Sequence, residues 1–351
     1  MTKFNKGSAT IAVGLCMTVL IACAASSPAH AQASATPTTQ PNIMTWPMPE
    51  TVSPEGRAMA SAMGSAPIPN PWPPVADQRH FADGVQAALG DQLQKRYGVR
   101  IETGEIAGVP VRIVYPKGVT KLGTGPVLLN LHGGGFYLDS GSLTETIPIA
   151  ALTNIPVVAV LYRLAPEHPY PAAVDDALAV YEALGKEREP THIAVYGTSA
   201  GAGLSAQLVA RLTKLGQPMP AAMGFFSGSA DLSKVTDSET WTPLPNGGKT
   251  LAEMMTGYIG KTPTNDPGLS PLHGDLSRFP PTLLVSSTRD ILLSGTSIFA
   301  RALTAQGVDA KLVVFDGLPH AFWAYMPIPE TEEANALMAR FLKSHVAPKK
   351  G

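Results

Sequence analysis

The chain contains little charge and almost no cysteine. Only 15% of its 351 residues are charged, and 26 Lys and Arg nearly balance 27 Asp and Glu. A protein that neutralises a phosphate backbone needs a basic excess, so this balance argues against nucleic acid as a partner. Both cysteines, Cys16 and Cys23, lie near the N-terminus. No disulfide can therefore form in the rest of the chain, and burial of apolar side chains must stabilise its fold.

Motifs for metals and nucleotide cofactors are missing as well. The chain has no HExxH, no CxxC and no His/Asp cluster with metal-ligand spacing, so we expect no metal. The glycine run at residues 133–135 is followed by neither the further glycines nor the acidic residue of a dinucleotide fingerprint. We therefore expect no cofactor.

Residues 1–31 have the pattern of a secretory signal peptide. Lys3 and Lys6 precede an uncharged apolar run at residues 9–25, and Ala29-His30-Ala31 forms a small-x-small cleavage site. We expect cleavage after Ala31 and export to the periplasm or the medium. Residues 20–23 also resemble a bacterial lipobox, so a lipoprotein anchored through Cys23 is an alternative, and a retained anchor is another. Membrane contact is expected only if Cys23 is lipidated.

The remaining chain divides at Gly98. Residues 32–97 combine a proline-rich arm with two predicted helices, at 53–63 and 77–97. Residues 98–351 alternate between short apolar runs and helical patterns, which predicts an α/β domain with a mainly parallel sheet covered by helices. The predicted strands are residues 99–103, 109–115, 127–131, 157–162, 193–196, 222–226, 282–286 and 311–315.

Residues 197–201, Gly-Thr-Ser-Ala-Gly, follow one of these strands and open a predicted helix. This context is typical of a nucleophile elbow, in which a sharp turn lifts the serine hydroxyl clear of the sheet. A glycine-rich turn capped by serine is the simpler alternative. The pattern makes Ser199 the candidate nucleophile.

A second glycine motif follows an earlier strand, at residues 132–136, His-Gly-Gly-Gly-Phe. Successive glycines let backbone N–H groups approach a carbonyl oxygen that becomes an oxyanion. We expect the N–H groups of Gly133, Gly134 and Ala200 to form this oxyanion hole, and His132 to hold the loop. The alternative is a flexible turn.

A serine nucleophile needs a base and an acid that orients the base. Asp290 and His320 each follow a predicted strand, and they give the chain order Ser, Asp, His that this kind of elbow requires. We therefore expect a triad of Ser199, His320 and Asp290. Asp316, four residues before His320, is the rival acid.

Together these motifs resemble the hormone-sensitive-lipase family of α/β-hydrolases, the bacterial family IV esterases. Residues 162–167, Tyr-Arg-Leu-Ala-Pro-Glu, strengthen the resemblance, which covers residues 99–347. It implies an α/β-hydrolase fold, with a mostly parallel central sheet, helices on both faces and a small N-terminal helical cap over the acyl pocket. Leu161 and Ile291 stand where the family usually has Asp and Pro. The insertion at residues 235–272 contains one predicted helix at 251–259 and is a candidate for part of the pocket wall. Pocket and core roles stay equally open for Met59, Met63, Trp72 and Phe81, and no site is assigned to them.

The resemblance implies a serine hydrolase that cleaves carboxylic esters of short to medium acyl chains through an acyl-enzyme. The expected partner is a small-molecule ester, and the oligomeric state stays open. Hydrolysis of another acyl bond (amide, peptide or lactone) is the first alternative. A ligand-binding member of the fold without activity is the second, although such receptors lose the catalytic histidine and this chain has His320.

Overall fold

The computed structural model describes residues 46–64, 73–241 and 250–346. The predicted signal peptide, Cys23 and most of the proline-rich arm lie outside the described residues. Eight strands form one sheet; in chain order they are β1 (Arg100–Ile106), β2 (Val109–Tyr115), β3 (Val127–Leu131), β4 (Val157–Val160), β5 (Ile193–Thr198), β6 (Ala222–Phe226), β7 (Thr282–Arg289) and β8 (Ala310–Pro319).

Ten α-helices accompany the strands in the described ranges. They are α1 (Pro54–Gly64), α2 (Val75–Tyr97), α3 (Ile147–Thr153), α4 (Ala172–Gly185), α5 (Ala200–Leu215), α6 (Asp237–Trp241), α7 (Leu251–Met254), α8 (Thr256–Ile259), α9 (Leu293–Ala305) and α10 (Pro329–Val346).

The spatial order of the sheet is β1-β2-β4-β3-β5-β6-β7-β8. β2 runs antiparallel to both β1 and β4, and every other neighbouring pair is parallel. The carboxyl ends of the parallel strands therefore meet at one edge, which is where α/β sheets place their ligands. This architecture confirms the predicted fold class.

Both faces of the sheet are buried, as a parallel sheet requires. Along β3, Leu129 and Leu131 belong to one apolar cluster, which also includes side chains of α4, α5 and α9. Leu128 belongs to a second cluster on the other face, with side chains of α1, α3 and α10. Alternate side chains of one strand thus belong to two different apolar clusters, because successive side chains point to opposite faces of the sheet.

Element boundaries differ most where tertiary contacts extend a strand. β3, β6 and α5 have the predicted ends, but β7 and β8 each run three or four residues further than predicted. The helix α3 was not predicted, because its seven residues are too apolar to show a polar face. The segment that follows the gap at 242–249 forms two short helices, α7 and α8, where the sequence suggests one.

The N-terminal helices pack beside the domain. Ser53 donates to Glu330 on α10 through its backbone N–H at 2.6 Å, and its hydroxyl donates to the same carboxylate at 2.9 Å. Arg289, at the end of β7, donates to the carbonyl oxygens of Trp46 and Pro47. Within the described ranges, no helix combines the length and apolar character that a bilayer crossing requires.

Candidate active site

Ser199 lies at the sharp turn between β5 and α5. Its backbone has φ 58° and ψ −121°, a strained conformation for a residue with a side chain. The Ser199 N–H donates to the Phe226 carbonyl at 2.9 Å, which ties the turn to the neighbouring strand. The strain fits the turn predicted for residues 197–201 and leaves the Ser199 hydroxyl half-buried at the sheet edge.

His320 connects Ser199 with Asp290. Its Nε2 lies 3.0 Å from the Ser199 hydroxyl oxygen, and its Nδ1 lies 2.7 Å from Asp290 Oδ1. The imidazole is 5% exposed and the carboxylate 1% exposed. These distances let His320 accept the Ser199 proton through Nε2 while Asp290 holds the N–H on Nδ1. The structure thus brings together three side chains that the sequence separates by up to 121 residues.

Asp290 is held as a carboxylate by its surroundings. The hydroxyls of Ser227 and Ser286 donate to its Oδ2 at 2.5 and 2.6 Å, and the Leu292 N–H donates to its Oδ1 at 2.9 Å. Burial alone raises the pKa of Asp290, but the adjacent His320 and the serine hydroxyls outweigh it and lower that pKa below its usual value. The two serines were not predicted; Ser227 directly follows β6 and Ser286 lies within β7.

The rival acid Asp316 lies elsewhere. Its carboxylate accepts from the hydroxyl of Thr51 at 2.5 Å and from that of Thr288 at 3.1 Å. It therefore fastens the N-terminal segment to the domain, and His320 is paired with Asp290 instead.

The glycine loop after β3 differs from the prediction at one position. The N–H of Gly133 does not face the serine; it donates to Oε1 of Glu145 at 3.0 Å. Among the described residues, no protein group accepts from the N–H groups of Gly134, Gly135 or Ala200. Gly134 has φ 119°, which excludes most other residues there. A carboxylate twelve residues away thus occupies the Gly133 N–H, which leaves the N–H groups of Gly134 and Gly135 as the unbound donors of this loop.

His132 supports this loop, as expected. Its Nδ1 lies 2.9 Å from the Gly133 carbonyl, and its ring stacks on Tyr162 at a centroid distance of 4.2 Å. The Tyr162 hydroxyl donates to the His132 carbonyl at 2.7 Å. His132 is 1% exposed and has no contact that would let it act on Ser199 directly.

Two cavities meet at Ser199 and His320. The larger is an open cleft with mostly apolar walls, with Phe136, Met254 and Ile291 among them. The smaller encloses about 280 Å³ and has a more polar lining, with Ser140, Glu145, Thr198 and Tyr325 among its residues. The arrangement offers an apolar cleft for one arm of a substrate and a smaller space for the other.

The wall of the larger cavity comes from α7 and the residues after it. Leu251, Met254 and Met255 line it, whereas none of the described residues 46–64 and 73–97 does. Helix α2 instead packs behind the glycine loop, where Gln86 Oε1 accepts from the Leu143 N–H at 3.1 Å. Of the two readings left open for Met59, Met63 and Phe81, the structure supports packing against the core. Trp72 lies outside the described residues.

No group of His, Cys, Asp and Glu within the described part of the chain has the arrangement of a metal site.

Comparison with known proteins agrees with the fold described above. A model of the alpha/beta hydrolase fold family matches residues 128–324. Carboxylesterase NlhH of Mycobacterium tuberculosis is 30% identical over 72% of this chain and 87% of its own length. Ethyl acetate hydrolase of Pseudomonas putida is 31% identical over 68% of this chain and 79% of its own length.

A solved structure extends the comparison to three dimensions. The crystal structure of an esterase from the bacterial hormone-sensitive lipase family superposes with a TM-score of 0.72 at 30% identity. The match covers 79% of this chain and 94% of that one. The chain belongs to the α/β-hydrolase family, within its bacterial hormone-sensitive-lipase group.

Proposed function

We propose that the protein hydrolyses carboxylic esters through a covalent acyl-enzyme on Ser199. The observation that carries this proposal is the continuous hydrogen-bonded series from the Ser199 hydroxyl through His320 to Asp290, at 3.0 and 2.7 Å. A serine hydroxyl becomes a strong nucleophile only when a positioned base removes its proton. The series meets this requirement at the junction of the two cavities.

The reaction proceeds in two halves. Ser199 Oγ forms a bond to the ester carbonyl carbon while His320 Nε2 takes the hydroxyl proton, and Asp290 stabilises the resulting imidazolium. The tetrahedral intermediate collapses, the bond to the alcohol oxygen breaks, and His320 returns the proton to the leaving alcohol. Water then attacks the acyl carbonyl with His320 again as base, which releases the carboxylic acid and restores Ser199.

The oxyanion of each tetrahedral intermediate needs donors that are already in place. The N–H groups of Gly134, Gly135 and Ala200 have no other protein acceptor in the described ranges and lie beside Ser199. Removing one such donor typically costs about 3 kcal/mol of barrier. These three groups are therefore the proposed oxyanion hole.

The proposed substrates are small esters with short to medium acyl chains. The apolar cleft beside Ser199, lined by Phe136, Met254 and Ile291, suits an acyl chain by its chemistry. Two relatives reported above are named as a carboxylesterase and an ethyl acetate hydrolase, which supports this substrate class.

Replacement of Ser199 tests the proposal. Wild type should hydrolyse p-nitrophenyl butyrate, and Ser199→Ala should lose at least about three orders of magnitude of kcat. Ser344→Ala, which removes an exposed hydroxyl on α10, is the matched control and should retain wild-type turnover. Full activity of Ser199→Ala would falsify the proposal.

Two further measurements separate the alternatives. A fluorophosphonate probe should label Ser199, whereas a ligand-binding protein without activity would not react. Of matched ester and amide substrates with the same acyl group, the ester should be hydrolysed faster. Equal turnover of the amide would instead favour a peptidase or amidase.

We also propose that the protein is exported, with cleavage after Ala31. The charged start, apolar run and small-residue site of residues 1–31 support this. Mass spectrometry of the mature protein should find Gln32 at its N-terminus. A lipid-modified Cys23 at the N-terminus would support the lipoprotein alternative, with attachment to a membrane.

A further inference from the structure

Glu145 is a buried carboxyl group beside the reacting atoms that the proposed mechanism does not use. It is 5% exposed and lies between β3 and α3. Together with Ser199 and His320 it lines the smaller cavity. A carboxyl group at such a depth is costly to bury and calls for a functional explanation.

Its contacts reach the two segments that form the oxyanion hole. Oε1 accepts from the Gly133 N–H at 3.0 Å, in the loop that also contains Gly134 and Gly135. The Thr198 side chain, in the residue directly before Ser199, lies beside the carboxyl group and lines the same cavity. The carboxyl group therefore fixes the glycine loop relative to the nucleophile turn.

A third contact of Glu145 is with Asn130, whose amide oxygen has no hydrogen-bond partner in the described residues. Asn130 Nδ2 donates to Glu145 Oε2 at 3.2 Å. Asn130 Oδ1 is the one buried side-chain polar atom without a hydrogen-bond partner in the described part of the chain. Rotation of this amide by half a turn would place an acceptor against Oε2, and that acceptor would suit a protonated carboxyl group.

No cation pairs with Glu145 among the described residues. Arg112, on β2, donates to Asp139 and to Ser142 instead. Burial raises the pKa of Glu145 to about 8, with Asp139 adding to the rise and the Gly133 and Asn130 hydrogen bonds opposing it. The titratable and charged groups that surround this carboxyl group are Asp139, His132, Arg112, Tyr196, Tyr325 and His320.

We propose that Glu145 is a positioning residue, which holds the oxyanion loop through the Gly133 N–H and supports turnover in its uncharged form. Ionisation of Glu145 adds a negative charge beside the developing oxyanion and thereby raises the barrier. The inference rests on the proposed ester hydrolysis. It predicts that activity declines at alkaline pH as this carboxyl group ionises.

The pH profile of Glu145→Gln is the test. A glutamine side chain can still accept from the Gly133 N–H, but it cannot ionise. Wild-type kcat on p-nitrophenyl butyrate should fall several-fold above about pH 8, and Glu145→Gln should remove that fall while staying within about threefold of wild type at neutral pH. Subtraction of the rate with Ser199→Ala removes spontaneous ester hydrolysis.

A second variant tests the positioning role. Glu145→Ala leaves the Gly133 N–H without its acceptor, so kcat should fall roughly 10- to 100-fold while KM changes little, as for a loss felt only in the transition state. Glu330→Gln is the matched control, because Glu330 also accepts a backbone N–H, that of Ser53 at 2.6 Å, on α10. Its pH profile should match wild type.

The outcomes separate the two proposals. An active wild type whose alkaline decline persists unchanged in Glu145→Gln overturns the inference and leaves ester hydrolysis intact. A Glu145→Ala protein that folds and keeps wild-type kcat does the same. If Glu145→Ala does not fold, Glu145→Gln alone decides. A wild type without turnover on any ester overturns both proposals.

Discussion

The carbonyl oxygen of Leu131 occupies the space that a side chain at Gly201 would need. A Cβ atom at Gly201 would lie 1.8 Å from that oxygen and 2.8 Å from the carbonyl oxygen of His132. The first turn of α5 thus approaches the end of β3 directly, backbone against backbone. This approach places the nucleophile turn beside the glycine loop.

Replacement of Gly201 by alanine should therefore disrupt the site. The backbone of β3 lies in the centre of the sheet and cannot retreat, so we expect a loss of at least about 2 kcal/mol of stability and of most of the turnover. Thermal unfolding and kcat of Gly201→Ala measure both. Gly84→Ala is the control: Gly84 lies within α2 with no atom near its missing Cβ. That change should stabilise the protein by roughly 0.5–1 kcal/mol.

The order and placement of Ser199, Asp290 and His320 could be predicted because each follows a strand. The carboxyl ends of parallel strands share one edge of a sheet, so residues far apart in sequence converge there without any knowledge of packing. The turn at Ser199 has a local signature as well. For these reasons motif and strand pattern were enough to select three residues that the structure places within hydrogen-bonding distance.

The sequence could not show which of the three glycine N–H groups is already bound by another side chain. Which N–H group is free depends on Glu145, whose side chain reaches back to Gly133 from a segment without a recognisable pattern. The wall of the larger cavity was predicted only as a segment, the insertion at residues 235–272. Its lining residues Leu251, Met254 and Met255 could not be chosen, because no periodicity indicates which way an irregular insertion folds.

Arg79 on α2 holds the segment after the glycine loop. Its Nε donates to the Tyr137 carbonyl at 2.7 Å, one Nη donates to the Ala165 carbonyl at 2.8 Å, and both Nη atoms pair with Glu167. Lysine cannot reproduce this fork of donors. We expect Arg79→Lys to lower kcat roughly threefold to tenfold, through a looser loop, and to lower stability by about 1–2 kcal/mol.

A surface pair provides the control for Arg79. Arg96 bonds Glu332 at 2.7 Å, with side-chain exposures of 53% and 44%. Exposed pairs of this kind contribute about 0–1 kcal/mol, so Arg96→Lys should leave kcat and the melting temperature near wild type. Equal effects of the two substitutions in kinetics and thermal unfolding would contradict the role given to Arg79.

Gln207 is a buried residue in the lining of the larger cavity. It is 2% exposed, its Oε1 accepts from the Tyr258 hydroxyl at 2.5 Å, and its Nε2 donates to the Leu269 carbonyl at 2.8 Å. Tyr258 in turn stacks on Phe136 of the glycine loop, with centroids 3.5 Å apart. Gln207→Leu should cost about 2–4 kcal/mol, because it leaves two buried polar groups without partners.

A double-mutant cycle checks this assignment by chemical denaturation. Tyr258→Phe removes the hydroxyl that Gln207→Leu leaves unpartnered, so it should cost about 1 kcal/mol less in the Gln207→Leu background than in wild type. Tyr181→Phe is the matched control, since the Tyr181 hydroxyl donates to the Pro218 carbonyl at 3.0 Å and not to Gln207. Its cost should add to that of Gln207→Leu without coupling.

The buried Glu145 should also make the stability of the protein depend on pH. The pKa of Glu145 is raised from 4.5 to about 8 by burial, so between these values the folded chain retains a proton that the unfolded chain has lost. Because the folded state binds more protons than the unfolded state in this range, Glu145 stabilises the fold fully below about pH 4.5. This contribution is lost as the pH rises to about 8. The slope from this one group is at most about 1.4 kcal/mol per pH unit. Urea denaturation at a series of pH values should show that Glu145→Gln removes this contribution. Glu330→Gln should keep the wild-type dependence of stability on pH. Identical slopes for wild type and Glu145→Gln would show that the carboxyl group is already ionised at neutral pH.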